Sequence, residues 1–364
     1  MNEADPPRDA LDRRSGHWIE TDVLADETAP QRWHLGPDGL SPQPASQPAQ
    51  GWSVPTDLSV GQDAGDAGYF GRFGGLPLDQ RAEDARSLVF DTAPLDEDVV
   101  LCGGAKVRLR LKTGARVAQI VLRLTDVAPD GTSTRVSYAM RNLALDADLD
   151  VPTAPPSRAA QEITLRCPTR AHRFKRGHRL RLALSSSYWP MIWPTPTPSD
   201  MRLEAGWIEL PMLNGPPTPL PPVRDLPEDK PFYQTVAAAL RRFRETDGDT
   251  MISGWNQPYT EVCFTDTDTD TDTDTDTDTD TDTAFGSETR AEHRLRADLP
   301  ETARTCVHHR AAYRRPDGVA EISCQIDAWC DQETFFIKGT LTAAWDDAEM
   351  ARRDWHVSIP RRYS

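Results

Sequence analysis

The residues that could carry catalytic chemistry do not stand in the spacings that such chemistry needs. A serine hydrolase of the α/β type needs a G-x-S-x-G turn, in which small residues lift the nucleophilic serine above the sheet. The nearest sequence, Gly131-Thr132-Ser133-Thr134-Arg135, lacks the second glycine and leads from a turn into a predicted strand. None of the eight histidines stands in a recognisable nucleophile–base context. We therefore predict no catalytic residue in this chain.

Cysteines and histidines near the C-terminus are the candidates for a metal site, namely Cys306, His308, His309 and Cys324. Neighbouring residues on a strand point to opposite faces, so His308 and His309 cannot both bind one ion there. The sequence also lacks the G-x-G-x-x-G, P-loop and H-E-x-x-H motifs. We therefore predict neither a metal nor a cofactor.

Six cysteines in 364 residues are too few for the disulfide framework of a small secreted scaffold. We expect reduced thiols and a cytoplasmic location. The N-terminal sequence has no apolar core, and no stretch approaches the roughly 20 apolar residues that cross a bilayer. We therefore expect neither a signal peptide nor a membrane span.

Acidic side chains outnumber basic ones by 57 to 41, which gives a formal net charge of −16. This balance argues against binding to nucleic acid or to an anionic membrane surface, because both need a basic patch. Ten threonines alternate with nine aspartates over residues 265–283, so the rest of the chain carries −16 + 9 = −7. An EF-hand loop needs a glycine and a glutamate that this repeat lacks, and nine like charges on one strand face would repel. We predict that 265–283 is a disordered insertion.

Alternation of apolar and polar residues begins near Leu88 and predicts antiparallel strands with one buried face. Val107, Leu109 and Leu111 alternate with two arginines, and the segment 118–127 continues the pattern. Further strands are predicted over 87–92, 133–140, 161–167, 178–187 and 201–212, with a turn at 129–132 and a loop over 143–160. Short strands with turns between them and little helix are typical of a β-sandwich.

The same patterns divide the chain into four parts. Residues 1–77 are predicted to be an irregular segment that packs on the sandwich of residues 78–213. A Pro-rich linker follows over 214–229, because such sequence cannot form central strands. Residues 230–364 are predicted to form a second antiparallel β region, in which 232–244 fits a helix and a strand equally well.

Four strands are predicted in the tail, over 304–315, 319–330, 334–345 and 352–360. The first pair meets at Arg315-Pro-Asp-Gly-Val319, a hairpin sequence. A two-residue Asp-Gly loop would pair Ala311 with Cys324, whereas a three-residue loop would pair Arg310 with Cys324. The first register places apolar residues opposite each other, so we favour it. Neither register places Cys306 opposite Cys330, and we expect no bridge between them.

Several segments together resemble one family. They are Leu78-Asp-Gln-Arg81, Asp84-Ala-Arg-Ser-Leu-Val-Phe-Asp91, Leu122-Arg-Leu-Thr-Asp-Val-Ala-Pro-Asp-Gly131, Arg176-Gly-His-Arg-Leu-Arg-Leu-Ala-Leu-Ser-Ser186 and Tyr188-Trp-Pro190. Their order and spacing resemble the C-terminal domain of X-Pro dipeptidyl-peptidases and of cocaine-esterase-like (CocE/NonD-type) hydrolases. The resemblance implies an all-β, jelly-roll (galactose-binding-like) sandwich that packs on an α/β-hydrolase domain carrying a Ser-Asp-His triad. No catalytic residue can be carried over, because the matching segments follow the part of the family that holds the triad.

We therefore predict a non-catalytic β-sandwich module of such a hydrolase, truncated or split from the catalytic domain. The expected partner is that hydrolase domain or a partner subunit, and a homo-oligomer is compatible with the sequence. The alternative is a stand-alone jelly-roll module that binds carbohydrate or protein. In either case Tyr188, Trp189 and Trp193 are the candidate residues facing a substrate or partner, although tryptophans in a Pro-rich loop more often anchor packing. His178 is predicted to satisfy a hydrogen bond at a strand start.

Overall fold

Regular structure in the described residues is almost entirely β. The structure is a computed structural model, and it describes residues 1–11, 14–20, 30–44, 48, 50–65, 75–145, 159–213, 218–220, 241–264 and 283–364. Within these residues there are 22 strands and one helix of four residues. The all-β prediction is confirmed.

The first part of the chain holds fifteen strands and the helix. Their bounds are β1 Asn2–Glu3, β2 Ile19–Glu20, β3 Gln31–Gly36, β4 Gly39–Ser41, β5 Trp52–Ser53, α1 Arg81–Asp84, β6 Leu88–Asp91, β7 Val99–Gly103, β8 Lys106–Lys112, β9 Gln119–Val127, β10 Ser133–Asn142, β11 Gln161–Arg166, β12 Arg170–Phe174, β13 Arg179–Ser185, β14 Arg202–Leu210 and β15 Thr218–Pro219.

Two main sheets form a sandwich. The larger sheet has the strand order β11-β8-β14-β3-β4, with β5 beside β14, and the smaller has the order β10-β9-β13-β6. Strands β1, β12 and β7 form a third sheet, and β15 pairs with β2. Leu109 on β8 and Leu122 on β9 are at most 1% exposed and belong to one core between the sheets. Strand β8 confirms the predicted alternation, because Val107, Leu109 and Leu111 are buried whereas its arginines are exposed.

Strand β9 differs from β8 because both of its faces are buried. Ile120, Leu122 and Leu124 join the sandwich core. On the opposite face Val121 packs against Val60 and Tyr188. A second layer of chain therefore covers the outer face of the smaller sheet.

The last seven strands form one antiparallel sheet in which every strand pairs with its neighbour in sequence. We call it the meander sheet. Its strands are β16 Arg241–Asp247, β17 Thr250–Phe264, β18 Thr283–Arg296, β19 Leu299–Arg315, β20 Gly318–Cys330, β21 Thr334–Trp345 and β22 Ala348–Pro360. Each of the four predicted tail strands corresponds to one of them, and the predicted bounds 334–345 are those of β21.

The predicted register of the β19–β20 hairpin is wrong. Arg315 pairs with Gly318, so Pro316 and Asp317 form the loop and Cys324 lies opposite His309. Gly318 belongs to the strand, where its φ is +147° and the Trp345 ring leaves no room for a Cβ atom. Gly318 therefore has two roles: it ends the turn, and it leaves space for the Trp345 side chain of the neighbouring strand.

Two parts of the chain that were not predicted to be strands also form them, and residues 1–77 are less irregular than predicted, since they contain β1–β5. Gln31–Gly36 pairs with β14, within the segment predicted to be irregular. The described end of 232–244, from Arg241 onward, is a strand. Most of the linker 214–229 and the Thr-Asp repeat, apart from Thr283 at the start of β18, lie outside the described residues.

Candidate functional site

A cluster of buried charged side chains lies on the outer face of β9. Arg123 on β9 is 1% exposed, and Glu83 and Asp84 on α1 are 0% and 3% exposed. Buried ionised groups are costly unless they are paired and hydrogen-bonded, so such a cluster needs many internal partners. We call these residues, together with Gln80 and Arg181, the charge network.

Arg123 is the centre of the charge network. Its Nη1 lies 3.5 Å from Glu83 Oε2 and its Nη2 lies 3.1 Å from Asp84 Oδ1. The same guanidinium donates hydrogen bonds to Gln80 Oε1 at 3.3 Å and to Ser87 Oγ at 2.8 Å. One cation therefore joins β9 to the whole segment around α1.

Glu83 links the charge network to the loop that covers the sheet. Its carboxylate accepts the backbone N–H of Gly61 at 2.5 Å and that of Asp63 at 2.7 Å. Burial raises the pKa of Glu83 above its ordinary value, while these two hydrogen bonds and Arg123 act in the opposite direction. The carboxylate serves as an internal anchor for residues 61–63.

Arg181 on β13 extends the charge network to the edge of the sheet. It makes two parallel hydrogen bonds to Asp91, Nε to Oδ1 at 2.6 Å and Nη2 to Oδ2 at 2.7 Å. Its Nη1 also donates to Asp84 Oδ2 at 3.1 Å. The hydrogen bond to Asp91 is the main cause that raises the pKa of Arg181. Three strands and α1 are thus held by alternating charges.

Arg123, Glu83 and Asp84 are buried, so they cannot contact an external substrate in this structure. What the charge network can do is fix the covering loop against β9. Gly61 shows how close that packing is, since its φ is +117° and an added Cβ would lie 2.3 Å from the Trp189 carbonyl oxygen. The charge network therefore acts as a structural joint of the sandwich.

A second polar cluster forms around Asp126 at the end of β9, where Asp126 is 1% exposed. Its Oδ1 lies 2.7 Å from His178 Nδ1 and its Oδ2 lies 2.8 Å from His172 Nε2. His178 directly precedes β13, so the predicted hydrogen bond at a strand start is confirmed. The carboxylate bridges β9, β12 and the start of β13.

Of the three candidate residues of the Pro-rich loop, Trp189 and Trp193 lie at the joint between the sandwich and the meander sheet, whereas Tyr188 packs against Val60 and Val121 of the sandwich. Tyr188 and Trp189 are 0% and 1% exposed, and Trp193 is half-buried. The Trp189 ring packs edge-on against Trp193 and His293, with centroids 5.1 and 5.9 Å apart. Both tryptophans are therefore packing anchors in this structure, and their contact with a substrate or external partner stays a prediction.

Hydrophobic contacts and hydrogen bonds continue this joint. Leu58 and Trp189 share a buried cluster with Leu295 and Cys330 of the meander sheet. Trp193 Nε1 donates to Cys330 Sγ at 3.1 Å, and burial raises the pKa of this thiol. The sandwich and the meander sheet are therefore joined by a packed interface.

A serine and a histidine of the meander sheet lie within hydrogen-bond distance of each other. Ser323 Oγ lies 3.4 Å from His308 Nε2, and no carboxylate contacts that imidazole in the described part of the chain. A catalytic triad needs a shorter nucleophile–base hydrogen bond and an acid that orients the base. Nor do the described residues bring three His, Cys, Asp or Glu side chains together as a metal site.

A cleft of about 610 Å³ lies between the sandwich and β16–β18. Met191, Phe243 and Trp255 contribute apolar walls. Gln62 and Ser253 also line it, and their buried side-chain polar atoms have no hydrogen-bond partner. A small ligand with both apolar and hydrogen-bonding groups would fit these walls.

Sequence reasoning missed the charge network. Four of its five members lie in segments that carry the family resemblance, 78–81, 84–91, 122–131 and 176–186, and Glu83 lies between the first two of these segments. A detectable signal is an arginine within an apolar strand, as in Leu122-Arg123-Leu124. Its acidic partners lie about 40 positions away, where local patterns give no information.

Comparison with known families identifies the sandwich. Residues 2–208 match the family described as X-Pro dipeptidyl-peptidase C-terminal non-catalytic domain. No curated protein matches the chain. In the described residues no helix is long and apolar enough to cross a membrane.

Three solved structures resemble part of the chain. An α-amino acid ester hydrolase labelled with selenomethionine is 23% identical with a TM-score of 0.44, over 50% of this chain and 36% of that protein. An aminopeptidase from a marine sediment archaeon (Thaumarchaeota archaeon) is 21% identical with a TM-score of 0.44, over 51% of this chain and 37% of that one. A CocE/NonD family hydrolase from Staphylococcus aureus is 10% identical with a TM-score of 0.37, over 57% and 40%. The chain thus spans 36–40% of the length of these proteins.

Proposed function

The chain belongs to the family of X-Pro dipeptidyl-peptidase C-terminal non-catalytic domains, and we propose that it serves a serine hydrolase as a non-catalytic β module. The catalytic hydrolase domain is supplied by another chain or by a further part of the same protein. That partner cleaves an acyl bond, in a peptide, ester or amide, through a serine nucleophile.

The observation that carries this proposal is the family match over residues 2–208, which is more than half of the chain. The residues that hold this sandwich together are those of the matching segments, above all Arg123 and Glu83. Their burial supports a scaffold role, because they stabilise the module without reaching a substrate.

The described side chains offer no competing catalytic centre. The hydrogen bond between Ser323 and His308 is long and has no third member. The cleft beside Trp255 contains His293, whose Nδ1 lies 3.0 Å from the Thr305 hydroxyl, and Ser253, whose buried hydroxyl has no hydrogen-bond partner among the described residues.

We also propose that the chain divides into a sandwich up to residue 213 and a β region from 230, joined at 214–229. The end of the family match at residue 208 and the start of the meander sheet at Arg241 support this boundary.

Activity-based labelling tests the proposal. The purified chain is treated with a fluorophosphonate probe, which modifies activated serines, and is assayed on p-nitrophenyl esters and X-Pro p-nitroanilides. We expect no labelling and no turnover. The tagged chain isolated from its own cells is expected to bring with it a second polypeptide, or a longer form of itself, that the probe labels.

Ser323→Ala is the matched control for the chain alone, because it removes the hydroxyl of the Ser323–His308 contact. Labelling of the wild-type chain that this variant abolishes would show an internal active site and would contradict the proposal. Labelling that persists in the variant and maps to another serine of the chain would do the same.

A further inference from the structure

The two faces of the meander sheet differ in chemistry. The register places Ala311, Ile322, Ala343 and Ala351 in one row across four strands. We define the apolar face as the alternating positions in line with this row, from 305 to 313, 320 to 328, 335 to 345 and 351 to 359. The side chains at the positions between them form the charged face.

Ion pairs cross the charged face. Arg304 Nη2 lies 2.9 Å from Asp327 Oδ1, and Arg310 Nη2 lies 2.5 Å from Glu321 Oε2. On the apolar face the same four strands carry one Arg, Lys, Asp or Glu side chain, Arg353, whose guanidinium lies over the Trp355 ring at 5.4 Å. A face with a single formal charge across four strands is typical of a sheet that buries this face.

Only one corner of the apolar face is covered in the described part of the chain. There Phe335 packs edge-on against Trp193, with ring centroids 5.5 Å apart. Elsewhere six large apolar side chains on this face are 36–49% exposed, while others, such as Leu341 and Trp355, are half-buried. The six exposed side chains are Tyr313, Ile322, Ile326, Trp345, Val357 and Ile359.

A sheet needs a second layer over its apolar face, and a soluble protein rarely leaves so large an apolar surface open. We propose that this face pairs with the same face of a second copy of the chain. The sandwich already covers the corner of the apolar face at Trp193. The second copy, related by a two-fold axis, would cover the rest of that face. The two meander sheets then form a face-to-face sandwich between copies.

The size of the face fits a stable dimer. Four strands at about 4.8 Å spacing span about 19 Å, and nine residues at about 3.4 Å rise span about 31 Å. Each copy therefore offers at most about 590 Å², since the Trp193 corner is already covered, and a pair buries up to about 1,200 Å², the lower end of the range of specific interfaces.

Charge also favours this geometry. The chain carries a formal net charge of −16, so two copies repel each other wherever acidic surfaces meet. Pairing through the apolar face brings together surfaces whose only formal charge on these strands is Arg353. The two charged faces remain on the outside, beyond two sheet layers, where salt screens much of their repulsion.

Oligomeric state tests the proposal directly. Sedimentation velocity and light scattering are measured from about 1 to 100 µM, a range that resolves micromolar dissociation constants. We expect 81 kDa, twice the 40.5 kDa of the chain. The double variant Ile322→Lys/Ile326→Lys buries unpaired charges in the pair and should weaken association about 100-fold or more. Gln325→Lys, on the same strand but on the charged face, is the matched control and should leave the mass unchanged.

Thiol labelling gives a second readout on the wild-type chain, which does not depend on whether a variant folds. Cys324 lies on the apolar face and Cys306 on the charged face, and both are half-exposed. Maleimide labelling of Cys324 should slow about 10-fold or more between low and high protein concentration, whereas that of Cys306 should not change.

A mass of 40.5 kDa over the whole range, with Cys324 labelled at the same rate throughout, would overturn the proposal. That result includes the case in which a catalytic hydrolase domain covers the face instead. A dimer that survives the double lysine variant unchanged would place the interface elsewhere and would overturn it as well.

Discussion

Replacing Arg123 by methionine tests the idea that the charge network holds the sandwich together. Methionine keeps most of the length and the apolar stem of arginine but removes the guanidinium. The change deletes the ion pairs to Glu83 and Asp84 and the hydrogen bonds to Gln80 and Ser87. Two acidic side chains then remain in the interior with less compensation.

The expected loss follows from this geometry. Removing one partner of a buried ion pair costs about 3–5 kcal/mol of unfolding free energy, because the remaining charge stays desolvated. Arg123 is 1% exposed and pairs with two acids, so we expect a value within this range. For a unit of about 200 residues each kcal/mol corresponds to about 2–4 °C, which gives a fall in melting temperature of about 6–20 °C.

The measurement is urea unfolding followed by tryptophan fluorescence, with calorimetry for the melting temperature. Arg110→Met is the matched control, since Arg110 pairs with Glu204 at 3.0 Å on the surface and should lose only about 0.2–1 kcal/mol. Adding Glu83→Gln and Asp84→Asn to Arg123→Met removes the stranded charges and should recover part of the loss. A loss below about 1 kcal/mol for Arg123→Met, or no recovery in the triple variant, would refute the reasoning.

Three further predictions concern Gly61, Glu83 and Cys167. Gly61→Ala should cost about 2 kcal/mol or more, because the Cβ meets the Trp189 carbonyl at a positive φ, whereas Gly248→Ala has open space and should cost about 1; urea unfolding compares them. Burial raises the pKa of Glu83 above its ordinary value of 4.5, so the native state binds its proton more tightly than the unfolded chain. The tighter proton binding by Glu83 stabilises the native state fully below pH 4.5, and this stabilisation is lost as the pH rises through the raised pKa. Over this pH range the unfolding free energy should therefore fall more in the wild-type chain than in Glu83→Gln. Burial raises the pKa of the Cys167 thiol to about 11, so iodoacetamide at pH 8 should label Cys167 only after unfolding, as peptide mass spectrometry can show.

Period-two alternation predicts the strands of this chain well wherever one face is buried. In β8 the apolar residues Val107, Leu109 and Leu111 point into the core and identify the strand without other information. In β21 the same alternation sets both ends, at Thr334 and Trp345. Local alternation therefore identifies strands whether their apolar face lies in a core, as in β8, or is largely uncovered in the described residues, as in β21.

Features that depend on distant partners are not predictable in this way. The pattern does not predict β17, whose Gly254, Asn256 and Pro258 disfavour a strand locally, although pairing on both sides maintains it. The alternation pattern also predicted the wrong register for the β19–β20 hairpin, because Gly318 is needed where the Trp345 ring of β21 packs against the backbone. From its local sequence Arg123 would be predicted to lie at the surface, because the acidic residues that balance its charge in the interior come from a separate segment.

The two β regions also differ in how far apart in sequence their paired strands lie. In the meander sheet each strand pairs with the next one made, whereas Trp207 of β14 pairs with His34 of β3, 207 − 34 = 173 positions earlier. At about 5–20 residues per second, a ribosome needs about 10–35 s to supply that partner. During protein synthesis the edge of β3 that pairs with β14 stays unpaired for this time. The larger sheet can form completely only after β14 has left the ribosome.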